Sequence, residues 1–513
     1  MRRNILLITA DQWRADCLGV VGNTTIRTPN IDALAAEGVL FERHYTAVTP
    51  CGPARTSIFT GMYAHNHRSV RNGSPLGAQF TNLALEARKA GYDPVLFGYT
   101  DSASDPRGRD PSDPTIHTYE GILPGFSIGQ LLLNNPVDWL TDLERKGYVL
   151  PSSWQAIYTP SDEDLGRLKG RPGPVPARYS AADSDTAWLI GKVIDHLRGH
   201  MRTDPERASF IHLAICKPHP PLIAPAPYHL AHEADRMEKP VPISPEGQHP
   251  LVDWVRNTDK ATNSYSYGNG LTRDLSEGEI LQLKATYYGL CEEMDAKLGV
   301  LFSALKSMGL WDDTLIVLTS DHGEQLGDHG LMGKFGFYEA SQHVPLILRV
   351  PGATSTAGGS VADFTESIDL FPTLLDWIDR PTPNQVDGQS LMSFVEGKNP
   401  GDWRKAAHWT YDFRDVASRA AEQHFGLPST ECTCSVLRGE RYKYVHFPSL
   451  PPVLFDLAED PDEQHNCAND QEMRDIRLAC AEELLGWLSS HRDESLSLTA
   501  LGPTVATAQR HAE

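Results

Sequence analysis

Residues 4–12 read Asn4-Ile5-Leu6-Leu7-Ile8-Thr9-Ala10-Asp11-Gln12, an apolar run that stops on a carboxylate and an amide. A strand with one face in water alternates apolar and polar residues. A run without that alternation reads instead as a strand covered on both faces, in a parallel sheet. Downstream, Thr28-Pro29-Asn30 opens an amphipathic segment carrying Ile31, Leu34 and Ala35, and Gly38 ends it, as a helix start and stop. The same pairing recurs along the chain. A helix over 82–90 precedes a strand over 94–99, and a helix over 183–196 precedes a strand over 210–215. Leu290, Met294, Leu298, Leu301 and Leu305 repeat at helical spacing before a strand over 314–319, and a strand over 344–350 leads to a helix over 367–378. Strand alternating with helix predicts an α/β fold: a doubly wound, mostly parallel sheet flanked by helices.

Two regions break the alternation. Residues 101–178 hold ten prolines and little periodicity, and read as a long insertion of mostly loop that shapes a site or an interface. After Pro381 and Pro383 come short strands near 407–411, 441–447 and 453–457 and a helix near 472–488. The expected organisation is a catalytic α/β domain over 1–385 (insertion 101–180), a smaller α+β domain over 386–494 and an extended tail over 495–513.

The 513 residues carry a net charge of −21, which disfavours a nucleic-acid partner, since binding phosphates takes a basic stripe. An anionic substrate then needs a local cationic pocket or a metal. The run after Met1-Arg2-Arg3 is too short for an export signal, and no stretch approaches a membrane span, so the chain reads as cytoplasmic with no membrane partner. Eight scattered cysteines do not form a disulfide framework. Cys432 and Cys434, a C-x-C in an apparent strand, read as structural.

Ligands of open α/β sheets bind beyond the carboxyl ends of the strands. Four expected strands end in polar residues: Asp11-Gln12, Tyr99-Thr100-Asp101, Lys217-Pro218-His219 and Ser320-Asp321-His322. A single Asp there caps the next helix; four such ends on one edge point to a site. Asp11, Gln12, Asp321 and His322 offer oxygen donors with one imidazole, a set for one divalent cation. Ca²⁺, Mg²⁺ and Mn²⁺ all suit it, and the imidazole favours Mn²⁺. In Thr49-Pro50-Cys51-Gly52-Pro53-Ala54-Arg55 the cysteine precedes a short helix over 54–59. It sits either at that helix's positive end as a reactive group or as a buried cysteine in a helix-entry turn.

Cys51-Gly52-Pro53-Ala54-Arg55 resembles the C-x-P-x-R signature of the sulfatase family, within the alkaline phosphatase superfamily. The resemblance is closest to phosphonate monoester hydrolases and neighbouring arylsulfatases. It extends over residues 11–16, Gly98-Tyr99-Thr100, 217–221, 320–329 and 442–447. It implies that a maturation enzyme oxidises Cys51 to formylglycine, whose hydrated form attacks sulfur or phosphorus and passes through a covalent hemiacetal ester. It also implies Asp11, Gln12, Cys51, Asp321 and His322 around the metal, Arg55 holding the diol and Lys334 bridging nucleophile and substrate. His219 is then the general acid, and Asn72, Tyr99 and Asp101 lie at the substrate, with Asn72 equally able to shape the turn before Gly73. A homodimer or homotetramer is the expected assembly.

Two positions depart from the pattern. Ala54 replaces a common serine, and Asp101 stands where the resemblance implies threonine or lysine. A carboxylate beside an anion needs a partner, for which Lys334 or Arg107 is in reach, and it selects against dianionic phosphate monoesters. The expectation is hydrolysis of small monoanionic esters, arylsulfates and phosphonate monoesters or phosphodiesters. The alternatives are a phosphonate monoester hydrolase with sulfatase side activity and an inactive binding module on the same fold.

Overall fold

The N-terminal apolar run forms strand β1, Asn4–Asp11, with all eight residues buried, in the computed structural model, which describes residues 3–497, 499, 500, 506 and 507. Its side chains alternate between two cores. Leu6, Ile8 and Ala10 enter one hydrophobic cluster, and Ile5 and Leu7 the opposite one. That period-two split is why the run does not alternate apolar with polar residues; its one polar interior residue, Thr9, is buried against His212.

The further strands are β2 (Val39–Tyr45), β3 (Val48–Thr49), β4 (Pro94–Gly98), β5 (Ser127–Leu131), β6 (Phe210–Pro218), β7 (Thr314–Ser320), β8 (Leu346–Arg349) and β9 (Gly359–Glu366). Eight strands form one sheet in the order β5-β4-β6-β1-β7-β8-β2-β9. Only β8 runs antiparallel, against both β7 and β2, so the expected mostly parallel sheet is present. Helices Asp185–Thr203 and Glu277–Ser307 pack on one face. Helices Cys51–Thr60, Leu83–Lys89 and Leu370–Trp377 pack on the other. Register places the functional end: Ala10 lies beside Ser320 on β7, and Asp11 beside Pro218 on β6. Asp11-Gln12, His219 and Asp321-His322 therefore leave the sheet at one level. Gly98, at φ +107°, brings β4 within touching distance of β6; a Cβ there would lie 2.1 Å from the Ala214 carbonyl oxygen. That close approach delivers Tyr99 to the same edge.

The insertion is more ordered than expected. It contributes edge strand β5, paired with β4, and helices Val137–Arg145 and Asp162–Leu168. Trp139 and Leu143, one helical turn apart, anchor the first of these in the core. Pro136 and Pro160 sit at or near the starts of these helices, where proline is tolerated, so the proline count obscured them.

In the C-terminal part, β10 (Ala407–Asp412), β11 (Thr433–Arg438), β12 (Tyr442–His446) and β13 (Val453–Asp456) form an antiparallel sheet. Its order is β13-β12-β11-β10-β3, and β3 joins parallel to β10 just ahead of Cys51. Helix Arg474–Ser490 covers it through Cys480, Leu484 and Trp487. Cys432 and Cys434 are both buried in the core of this part. Most of the expected tail over 495–513 lies outside the described residues; Thr499–Ala500 pairs antiparallel with Ala506–Thr507. No described helix is long and apolar enough to cross a membrane.

Candidate active site

Cys51 is itself the first residue of a wholly buried helix, Cys51–Thr60, rather than lying ahead of it. Arg55 follows one turn later on the same face. Its Nε donates to Asp321 Oδ2 (3.1 Å) and its Nη2 to Asp11 Oδ2 (3.2 Å). The guanidinium lies over the Tyr99 ring, 4.2 Å from its centre, and the Tyr99 hydroxyl donates to Asp11 Oδ2 at 2.6 Å. One buried cation thus ties β1, β7 and the segment after β4 to the helix.

Around Cys51 Sγ stand Lys334 Nζ at 3.0 Å, His322 Nε2 at 3.3 Å and Asp11 Oδ1 at 3.8 Å. His322 Nδ1 lies 3.0 Å from the Gly323 carbonyl oxygen. Since a carbonyl only accepts, Nδ1 carries the proton and Nε2 presents a lone pair to the centre. Gln12 adopts φ +72°, a turn that lets its backbone N–H donate to Asp321 Oδ1 (3.1 Å). Its Oε1 accepts from Lys334 Nζ (2.9 Å) and its Nε2 donates to Glu324. His219 Nδ1 is held by the Pro220 carbonyl (2.6 Å), so its Nε2 accepts from Lys334 Nζ (2.8 Å). Burial and the Lys334 charge push His219 down to about 4. His219 is therefore neutral at rest, and Lys334 is the proton-bearing member of the pair.

Asp11, Cys51, Asp321 and His322 place their donor atoms within 4.8 Å of one another, all buried. Burial and the Asp11 charge push Asp321 up to about 7. Burial raises Asp11, but nearby positive charge, Lys334 and Arg55 included, outweighs it and holds Asp11 below the usual carboxylate range. Two carboxylate oxygens, an imidazole nitrogen and the atom on residue 51, gathered this closely, are a donor set that fits a divalent cation. Arg55 Nη1 is buried without a partner among the described residues, a donor left over for one more oxygen.

The centre opens into a cavity of about 340 Å³ lined by Asn72, Tyr99, Asp101, His219 and Lys334 among others. Asn72 Oδ1 accepts from the Gly52 N–H (2.9 Å), which anchors the helix start while the side chain faces the cavity. Asp101 sits at φ +50°, and burial together with Asp11 and Glu120 pushes it up to about 7. Arg107 does not pair with it. The Arg107 guanidinium is turned to Asp105, only two residues away, which also accepts from the Arg107 and Ala78 N–H groups. All eleven singled-out residues gather around one centre. Sequence reasoning missed Glu324, which orients Gln12 and accepts from the Leu326 N–H at 3.1 Å. It also missed Tyr119, Glu120 and Trp154, which reach the cavity from the insertion. Asp328 and His329 are structural: Asp328 accepts from Arg14 (2.7 Å), and His329 stacks on Tyr338.

Residues 3–380 match the family profile "Sulfatase", and residues 327–489 match "N-sulphoglucosamine sulphohydrolase, C-terminal". The chain is 37% identical to the multifunctional alkaline phosphatase superfamily protein PehA of Trinickia caryophylli, over 99% of this chain and 100% of that one. It is 28% identical to an arylsulfatase of Clostridium perfringens, covering 96% of each. The crystal structure of the phosphonate monoester hydrolase of Agrobacterium radiobacter superimposes with a TM-score of 0.95 at 44% identity, over 99% of this chain and 100% of that one. The chain belongs to the sulfatase family, within the alkaline phosphatase superfamily, and is an ester hydrolase close to the arylsulfatases and phosphonate monoester hydrolases.

Proposed function

We propose that the protein hydrolyses monoanionic esters, arylsulfates together with phosphonate monoesters and phosphodiesters, using formylglycine at position 51 and one divalent metal ion. The observation that carries this reading is the position of Cys51: a helix N-terminus, 3.0 Å from Lys334 Nζ, inside the four-donor cluster. Maturation takes two electrons from Cβ and replaces sulfur by oxygen with release of sulfide, a maturing oxidase supplying the oxidant. As formylglycine, residue 51 supplies a hydrated aldehyde, one oxygen of which attacks while the other later expels the product oxyanion. Asp11, Asp321 and His322, with Gln12 at the rim, would hold the metal (Mn²⁺ or Ca²⁺, with Mg²⁺ also suited), which supplies positive charge for the non-bridging oxygens.

The chain's own residues do the remainder. Arg55 fixes both carboxylates and leaves Nη1 for an oxygen on residue 51. Lys334 faces residue 51 and His219 at once, so a proton for the leaving oxygen passes along their 2.8 Å contact. Tyr99 holds Asp11 in place, and Asn72 holds the helix start. A small anionic ester, a maturation enzyme and a second copy of the chain are the proposed partners.

The likeness to the Agrobacterium phosphonate monoester hydrolase supports a second reading, in which phosphonate is the main substrate and sulfate a side activity. The ratio of kcat/KM for an aryl sulfate and the phenylphosphonate monoester of the same phenol separates the two. An arylsulfatase gives a sulfate preference of about tenfold or more, roughly 1.4 kcal/mol at the transition state. The reverse preference supports the second reading, and turnover of neither by mature, metal-loaded protein refutes both.

A further inference from the structure

The cavity beside residue 51 is lined by both cationic and acidic side chains. Lys334 is committed to residue 51, Gln12 and His219. Lys217, the other lysine in the wall, stands 4.0 Å from Asp185 and 4.8 Å from the Tyr158 ring centre. Asp101 and Glu120 line the same cavity, with Asp101 within range of the Arg55 and Lys334 charges. The Asp101 carboxylate makes no hydrogen bond or ion pair with any described residue, Arg107 being taken by Asp105. Among the described residues, Glu120 Oε1 accepts only the Asn134 N–H, at 2.6 Å. The rings of Tyr119 and Trp154 line the same space, and the Tyr119 hydroxyl is fixed by the Asn134 amide. Two carboxylates with no ion-pair partner among the described residues, beside aromatic rings, favour a cation, which holds Asp101 ionised against the burial that raises it and gains from both the charge and the ring faces. An arylsulfate with a plain apolar leaving group leaves these carboxylates unmatched.

We infer that the substrate carries an ammonium or quaternary ammonium group on its leaving alcohol or phenol, received by Asp101, Glu120, Tyr119 and Trp154 while the anionic ester lies at residue 51. The substrate is then zwitterionic, which also suits a chain of net charge −21. This inference rests on the ester-hydrolase reading above and narrows its substrate class.

The test uses two sulfates of matched shape, 4-(trimethylammoniomethyl)phenyl sulfate and 4-(2,2-dimethylpropyl)phenyl sulfate, with the full mature chain loaded with Mn²⁺. The leaving groups differ somewhat in acidity, but equally for every variant, so the readout is the change in the kcat/KM ratio. Asp101→Asn with Glu120→Gln is expected to lower the cationic-to-neutral ratio by about tenfold. Asparagine suits the left-handed backbone at position 101, so the fold is kept. Glu120→Gln alone, at the partly exposed rim, is expected to lower the ratio in the same direction and serves if the double variant does not fold. A ratio that stays constant within about twofold in either variant overturns the inference and leaves the hydrolase reading standing. If wild type hydrolyses only phosphonates, the two matched phenylphosphonate monoesters replace the sulfates; turnover of no sulfate and no phosphonate overturns both.

Discussion

Alanine at position 51 is expected to lower kcat/KM by about 10⁴-fold or more, whichever ester is used. The reason is geometric. Lys334, His322 and Asp11 converge on the side chain of residue 51, and Cys51 is the one cysteine of the four-donor cluster among the described residues. Cys216 also lines the cavity but does not belong to that cluster. The fold should survive, since the change removes one buried sulfur and costs about 1 kcal/mol. A urea midpoint near that of wild type with turnover gone is the expected pair of results. Activity within tenfold of wild type would mean that residue 51 is not the nucleophile.

Arg55→Ala should act on stability as well as on turnover. The guanidinium is fully buried and bridges two buried carboxylates, Asp11 and Asp321, through Nη2 and Nε. Removing one member of a buried ionic network leaves uncompensated charge, at a cost of about 3–5 kcal/mol. Urea unfolding of the metal-free protein reads that loss directly. Adding Mn²⁺ should recover part of it, because a cation bound only by the folded state stabilises that state and replaces the missing positive charge. A loss under about 1 kcal/mol would contradict the bridging role.

The central architecture is legible in the sequence because β1 and β7 are long, apolar and covered on both faces. Their terminal residues, Asp11-Gln12 and Asp321-His322, mark the functional edge for the same reason: the apolar pattern shows where each strand stops. Cys51 alone does not declare itself, since a buried cysteine at a helix start is ordinary; the resemblance of residues 51–55 to a known signature supplies its role. Other parts leave no local trace. Strand β3 has two residues, and its pairing with β10 is made across some 360 positions of chain. The insertion hides a strand and two helices behind prolines that fall at element boundaries. Tyr119, Glu120 and Trp154 become one wall only when β5 docks against β4. Glu324 reads as one more polar residue in a loop until Gln12, more than three hundred residues earlier, turns out to donate to it.

The account stands or falls on the chemical state of residue 51, and one mass determines it. Trypsin releases residues 44–55 as a single peptide bounded by Arg43 and Arg55. In protein purified from its native host, that peptide is expected to carry an aldehyde oxygen in place of the thiol sulfur and two hydrogens. An unmodified cysteine there, in protein that hydrolyses either ester, would contradict the formylglycine mechanism.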